Sequence, residues 1–435
     1  MLEPQSVNLG NLLLALSDAV DLAAPSIASH QMRTAYVVWQ LGIAAELPPE
    51  ELTSLFTAAL FHDIGALTVE EKMALHAFEV VDPDRHCVLG ESVFLQSPLL
   101  APAAPIVRQH HTPWRGSPEV PSGAVESASQ MLFLADLVER LIDRGTYILH
   151  QSAGITGAIA AQSGEAIDPD VVDLFMSVSN REDFWLDLTS SRLHSLLLRS
   201  GPLHSREIEL PTMFSIADVF RAIIDFRSRF TATHTAGVSE AAVTLCELLG
   251  FTRTETTAME VAGCFHDLGK LAVPERILEK PGRLTDDEFA IMRQHTYITY
   301  TILNSVGGLG RIPEWAAFHH EKLDGSGYPF HAGERRIDIG ARILAVADIF
   351  TALAEDRPYR EGMQKDGIVK ILLEQADRNQ LDRGVVALGL DNHDVLRERV
   401  MNRQAQALEQ YKKLYAGYGR RAAVERTGSG SLDTR

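Results

Sequence analysis

Histidine and aspartate recur along this chain at matched spacings, and imidazole with carboxylate is a donor set for divalent metals. CFHDLGKL, Cys264–Leu271, sets His266 beside Asp267 in an apolar run, and LFHDIGAL, Leu60–Leu67, does the same with His62 and Asp63. A charge in such a run is costly unless it is paired or bound to a metal. His30 precedes His62 by 32 residues (62 − 30), and His234 precedes His266 by the same 32 (266 − 234). His86 to His110 and His295 to His319 are both 24 (110 − 86 and 319 − 295). Each half then doubles its histidine, as His110-His111 and His319-His320. Each later carries an aspartate in an apolar helical stretch, Asp136 in LFLADLVERL and Asp348 in ILAVADIFTAL. Ten of the 16 histidines fall in this pattern, which excludes random scatter. His76, His150, His194, His204, His331 and His393 lie outside it and read as ordinary core or surface residues.

Five histidines and two aspartates in the second half exceed what one ion needs. They suit two ions with one bridging carboxylate, and donors without thiolate favour Fe, Mn or Zn over a soft-metal site. On a helix, His266 and Lys270 are i, i+4 and Asp267 and Lys270 are i, i+3, so one helical turn can present all three.

The repeat sets the domain plan. IDPDVVDLF near residue 167 resembles LDRGVVALG near residue 380, so the duplication reaches the ends of both halves. Two homologous domains are expected, 1–205 and 206–415, with a flexible tail over 416–435. The junction falls in SGPLHSREIELP, Ser200–Pro211, where Gly, Pro and polar residues break the helical periodicity. Apolar residues at i, i+3 and i+4 in SEAAVTLCELLG and GIVKILLEQADR indicate helix. REIELPTMF is the clearest strand-type run. The fold expected is all-α, two helical bundles in tandem.

The chain has 435 residues, 46% of them hydrophobic, enough for two or three domains. A net charge of -18 argues against binding long nucleic acid, although a locally basic or metal-bearing pocket can still take a small phosphate ligand. NLLLALSDAVDLAA is broken by Asp18 and Asp21, and no run approaches the roughly 20 apolar residues of a membrane span. The first residues, MLEPQSVNLG, lack the basic start of a secretory signal. Cys87, Cys246 and Cys264 show no CxxC spacing, which fits reduced, buried thiols in the cytoplasm.

The series His234, His266-Asp267, Lys270, His295, His319-His320, Asp348 resembles the HD phosphohydrolase superfamily. HHEKLDGSGYP, His319–Pro329, together with ARILAVADIFTAL and DRPYR, Asp356–Arg360, is similar to its HD-GYP branch. The resemblance covers the chain from about Phe214 onward, and the first half resembles the family more weakly. It implies a phosphodiesterase for a bacterial cyclic dinucleotide, cyclic di-GMP first and a cyclic GMP-AMP second, giving linear pGpG or GMP. It implies two divalent ions, Fe or Mn, with His234, His266, Asp267 and Asp348 holding the first, Asp267 bridging, and His295, His319 and His320 holding the second. Lys270 would neutralise charge on the phosphoryl oxygens. Arg357 and Arg360 would grip phosphate or a guanine edge, with a surface ion pair to Asp356 and Glu355 as the plainer alternative. Tyr328 would stack on the substrate or brace a turn made by Gly325, Gly327 and Pro329 with unusual backbone angles. The same loop implies contact with diguanylate cyclase domains, and a homodimer is compatible. Some members carry a Glu four residues before the first histidine and bind a third metal; Phe230 stands there, which implies two.

The first half repeats the ligand set as His30, His62, Asp63, His86, His110, His111 and Asp136. Ala66 stands where Lys270 stands, HHTPWRGSPEVP replaces the Gly-Tyr-Pro loop, and DRGTY, Asp143–Tyr147, only echoes DRPYR. Metal binding is expected there. A second hydrolase, a metal-bound regulatory domain and a scaffold relic are three compatible roles. For the whole chain the rivals to a phosphodiesterase are a non-catalytic signalling adaptor that binds the dinucleotide or a cyclase, and a hydrolase of nucleotides or linear phosphodiesters.

Overall fold

The computed structural model describes residues 6–22, 27–66, 68–77, 84–115, 123–226, 233–355 and 361–428. Described residues 9–206 form one compact unit, and residues 6–8 with 207–413 form another. The first unit holds α1 (Leu9–Asp21), α2 (His30–Ala44), α3 (Pro49–Leu60), α4 (Val69–His76), α5 (Asp84–Phe94), α6 (Ala104–Gln109) and α7 (Ala124–Arg140). It is completed by α8 (Ile148–Ala160), α9 (Pro169–Ser179), α10 (Glu182–Leu188) and α11 (Leu193–Ser200).

The second unit opens with α12 (Leu210–Phe226), α13 (His234–Leu248), α14 (Arg253–Phe265), α15 (Glu275–Leu278) and α16 (Asp286–Val306). It continues with α17 (Ile312–Ala317), α18 (Ile339–Ala354), α19 (Lys365–Asp377), α20 (Arg383–Asp391) and α21 (His393–Gly428). The all-α expectation holds. The only strands among the described residues are β1 (Ser6–Asn8) and β2 (Glu207–Glu209), antiparallel with Val7 opposite Ile208. Residues 6–8, placed by their position in the first half, thus belong with the second unit, because a strand needs a partner and β2 is theirs. The strand-type run is only three residues long, and Pro211 to Phe214 already lie in α12.

Local chemistry fixes the helix starts. Thr252 with Glu255 and Thr285 with Glu288 form reciprocal capping boxes at α14 and α16, and Thr68 with Glu71 does so at α4. Inward faces bury Phe56, Phe61, Phe94 and Trp185 in the first unit and Phe220, Phe265, Phe318 and Phe350 in the second. Each such side chain contributes about 1.5–3 kcal/mol.

Two expectations change. His266, Asp267 and Lys270 do not share one α-helical turn: α14 ends at Phe265, and Leu268–Ala272 forms a 3₁₀ turn behind Asp267. A 3₁₀ turn eclipses i and i+3, so Lys270 swings directly over Asp267. The tail expected over 416–435 is helical through Gly428, with the helix formers of RRAAVER, 420–426, ahead of the Gly/Ser run. No helix among the described residues is long and apolar enough to cross a membrane.

Candidate metal centres

The second unit gathers its donors from six elements. His234 opens α13, His266 closes α14, Asp267 leads the 3₁₀ turn, His295 lies on α16, His319 and His320 follow α17, and Asp348 lies on α18. They form two groups, His234, His266 and Asp348 in one and His295, His319 and His320 in the other. Asp267 stands between them. Its Oδ2 lies 3.2 Å from His266 Nε2, and its Oδ1 lies 3.4 Å from His295 Nε2 and 3.9 Å from His319 Nε2. His234 Nε2 is 3.1 Å from Asp348 Oδ1, and His320 Nδ1 is 3.8 Å from Asp348 Oδ2.

The approach of α16 to the turn after Asp267 requires a glycine. A Cβ on Gly269 would sit 2.0 Å from the His295 carbonyl oxygen, and one on Gly65 would sit 2.1 Å from that of His86. This is why both halves read His-Asp-x-Gly, a role that spacing alone does not reveal.

The rings are aimed by their own backbone. The Nδ1 of His266, His295 and His319 lies 2.8, 2.7 and 2.7 Å from the carbonyl three residues back. That fixes Nδ1–H as donor and leaves the Nε2 lone pair facing the cluster. His266 Nε2 and Asp267 Oδ1 are buried without a hydrogen bond. Orphaned buried polar atoms in a ring of imidazole and carboxylate donors are what a divalent cation satisfies, so the residues fit metal.

Burial pushes His295 down to about 3 and His320 down to about 4, and holds His319 well below its usual range. These rings are neutral at pH 7, as ligation demands. Burial opposes ionisation of Asp267 also, but His266 and Lys270 hold it well below the carboxylate range. His234 is pushed down by burial yet raised to about 10 overall by Glu355 and Asp348.

The first unit builds the same arrangement. Asp63 Oδ2 is 3.5 Å from both His30 Nε2 and His62 Nε2, and its Oδ1 is 3.4 Å from His86 Nε2 and 4.0 Å from His110 Nε2. Asp136 Oδ1 is 3.4 Å from His30 Nε2, and His111 joins Asp63, His86 and His110 in one group. All fourteen donors singled out by spacing therefore lie in two clusters, one per unit.

The surroundings differ. Lys270 Nζ lies 2.5 Å from Asp267 Oδ2, whereas Ala66 makes the equivalent turn, with its N–H 2.9 Å from the Asp63 carbonyl, and carries no charge. The first-unit cleft is lined by His30, Asp63, Lys72, His76, Asp136 and Arg140. Arg140 donates to Asp136 Oδ2 at 2.9 Å, and Lys72 Nζ donates to the Val20 carbonyl at 2.5 Å. His76, read from sequence as ordinary, lies 3.4 Å from Glu139 Oε2.

Tyr328 packs its ring 5.0 Å from His320 and 6.0 Å from Phe289. Its loop is held by buried Glu321, which accepts from the N–H groups of Phe330 and Ala332 at 2.7 and 2.9 Å. Of the loop glycines, Gly325 has a φ of 79°, but Gly327 is demanded by crowding: a Cβ would lie 2.4 Å from the Lys322 nitrogen. Arg357, Arg360, Asp356 and Phe230 lie outside the described residues. Glu355 does not await them at the surface; it is buried, 3.2 Å from His234 Nδ1. In DRGTY, Asp143 is exposed and Arg144 reaches Glu139 at 2.8 Å.

Buried aspartates at the ends of α1 and α12 brace the starts of α2 and α13. Asp21 accepts the Gln31 N–H and Asp225 the Thr235 N–H, each at 3.2 Å, at equivalent positions of the repeat. Sequence reading took Asp21 only as a break in an apolar run.

Two all-α units, each with a histidine–aspartate cluster of metal-binding type, define a tandem HD-domain protein. HD-domain family profiles match residues 218–385 and 27–144. The chain is 30% identical over 397 residues to the 3'3'-cGAMP-specific phosphodiesterase 1 of Vibrio cholerae, covering 87% of this chain and 90% of that one. It is 37% identical over 176 residues to the cyclic di-GMP phosphodiesterase response regulator RpfG of Xanthomonas campestris, 40% of this chain and 46% of that one. A crystal structure of a cyclic GMP-AMP-specific phosphodiesterase of V. cholerae aligns with a TM-score of 0.62 at 21% identity, over 93% of this chain and 98% of that one, a likeness of fold. The chain belongs to the HD-GYP phosphodiesterase family, with an HD domain in each half.

Proposed function

We infer that this chain is a metal-dependent phosphodiesterase of bacterial cyclic dinucleotides and that residues 206–415 carry the reaction. The observation that bears most weight is Asp267: its two oxygens face two separate histidine groups, as those of Asp63 do, but Lys270 sits on one of them where the first half has Ala66. Two ions are proposed for this half, iron or manganese, one held by His234, His266 and Asp348 and one by His295, His319 and His320, with Asp267 shared. Paired divalent ions polarise a phosphodiester and acidify a neighbouring water. Lys270 Nζ, kept near the site by Asp267, would meet negative charge as it grows on the phosphoryl oxygens. Arg357, Arg360 and Tyr328 are the proposed substrate contacts. The Tyr328 loop is the proposed surface for a diguanylate cyclase domain, and a homodimer is compatible. A cytoplasmic setting would keep the three buried thiols reduced.

Cyclic di-GMP is the substrate that the second-half motifs favour. A relative matched across both halves is named for 3'3'-cGAMP, and this favours a mixed purine dinucleotide as a second reading. The test is turnover of both by protein purified without oxygen or chelator, with elemental analysis of the same sample. Hydrolysis of either supports the reading and identifies the substrate. Metal-loaded, folded protein that binds but cleaves neither would leave an adaptor.

A further inference from the structure

We propose that Glu139 and Glu355 are positioning residues that perform one task in the two halves from non-equivalent sequence positions. Each holds the Nδ1–H of its half's first histidine, His30 or His234, so that Nε2 faces the metal. The inference rests on the metal-binding reading above.

The need arises from where these histidines sit. His62, His110, His266, His295 and His319 all bond Nδ1 to the carbonyl three residues back, at 2.7–3.0 Å. His30 and His234 are the first residues of α2 and α13, and their Nδ1 atoms turn to a carboxylate from elsewhere in the unit instead. In the first half it is Glu139 Oε2, 2.6 Å from His30 Nδ1; in the second it is Glu355 Oε2, 3.2 Å from His234 Nδ1. Both carboxylates are buried. A carboxylate behind a ligating imidazole fixes its tautomer and makes it a better donor to a cation.

The two glutamates are not repeat partners. Glu139 lies three residues after Asp136 and Glu355 seven after Asp348. The position matching Glu139 is Thr351, and the one matching Glu355 is exposed Asp143, which caps its own turn at Gly145 and Thr146. On a helix +3 and +7 share a face one turn apart, so either reaches the same histidine. Each site has been rebuilt around its choice. Glu139 Oε1 also takes Arg33 at 3.2 Å and Arg144 at 2.8 Å. Arg33 matches Gly237, where a Cβ would lie 2.8 Å from Thr351 Cγ2 and 2.9 Å from Gln404 Nε2. That Gln404 amide in turn lies 3.4 Å from Glu355 Oε2. The contact is kept while its source has moved, which is expected when the contact itself is required.

The experiment uses the full-length chain with Glu355→Ala, Glu355→Gln and Glu139→Ala. Metal-free, ¹⁵N-histidine-labelled protein should show a hydrogen-bonded, slowly exchanging Nδ1–H on His234 that Glu355→Ala removes and Glu139→Ala leaves. Titration with Mn²⁺, read as free ion, should show second-half sites weakened about 10–100-fold by Glu355→Ala and less by Glu355→Gln, which keeps the acceptor without its charge. Glu139→Ala should weaken the first-half sites instead. An Nδ1–H unchanged in Glu355→Ala, or unchanged Mn²⁺ affinity in a variant that melts like the parent, would overturn the proposal. Were the parent itself to take up no Mn²⁺, the metal reading would fall, and the Nδ1–H signal would still decide whether Glu355 holds the ring.

Discussion

The two clusters of this molecule share their donors and differ in what faces them. In the second half Asp267 carries a lysine; in the first, the same backbone turn carries Ala66, Arg140 is bonded to Asp136, and the equivalent of Arg140 is Ala352. In the first half α4 brings Lys72 and His76 to the cleft, and the 3₁₀ turn of the second half leads instead to the four residues of α15. On the proposed reading, holding a metal and handling a substrate are separable: the donors persist through duplication while the groups proposed to meet a phosphate are exchanged.

The largest effect expected from breaking this comparison is at the second cluster. His266→Ala or Asp267→Ala should reduce cyclic dinucleotide turnover to background and lower the metal count, measured by rate assay and elemental analysis. Metal content unchanged by Asp267→Ala would show that this carboxylate ligates nothing. Next is Lys270→Ala, which should keep its metal and lose about 10²–10³ in rate, the usual value of one preorganised charge in such a site. Unchanged turnover would remove the main distinction drawn between the halves.

A smaller effect concerns stability. Burial raises Asp21 to about 6, against the lowering pull of His30 and Lys72. The native state therefore prefers the protonated acid. Below about pH 4 the group is protonated folded or unfolded and contributes nothing. As pH rises towards 6 the unfolded chain ionises first, stability falls, and above 6 the cost stays constant at up to about 3 kcal/mol. Asp21→Asn, which can still accept the Gln31 N–H, should raise the melting temperature of metal-free protein at pH 7–8 and leave it unchanged near pH 4. Asp225→Asn should bring no such gain, because it strips Arg221, itself buried, of a carboxylate 3.3 Å away. Equal shifts for both would show that the two helix starts are not differently supported.

The clustering of the donors was legible because histidine and aspartate are rarely placed in apolar helices without purpose, and because the chain repeats them. The all-α architecture followed from periodicity. What stayed hidden depends on packing. Gly65 and Gly269 matter only because α5 and α16 bring the His86 and His295 carbonyls against them. Glu139 and Glu355 break the very repeat that exposed the ligands, so comparing the halves could not pair them. Residues 6–8 gave no sign of their pairing with β2, because three residues carry too little pattern.

The central claim is the division of labour between the halves. The most direct measurement compares His62→Ala/Asp63→Ala with the parent in one assay of turnover, metal content and melting, since an emptied cage can also unfold its domain. The account predicts a folded protein that loses first-half metal, keeps second-half metal and retains most of its cyclic dinucleotide turnover. A folded variant with second-half metal intact and turnover lost would contradict it and make the first half a catalytic or coupled partner.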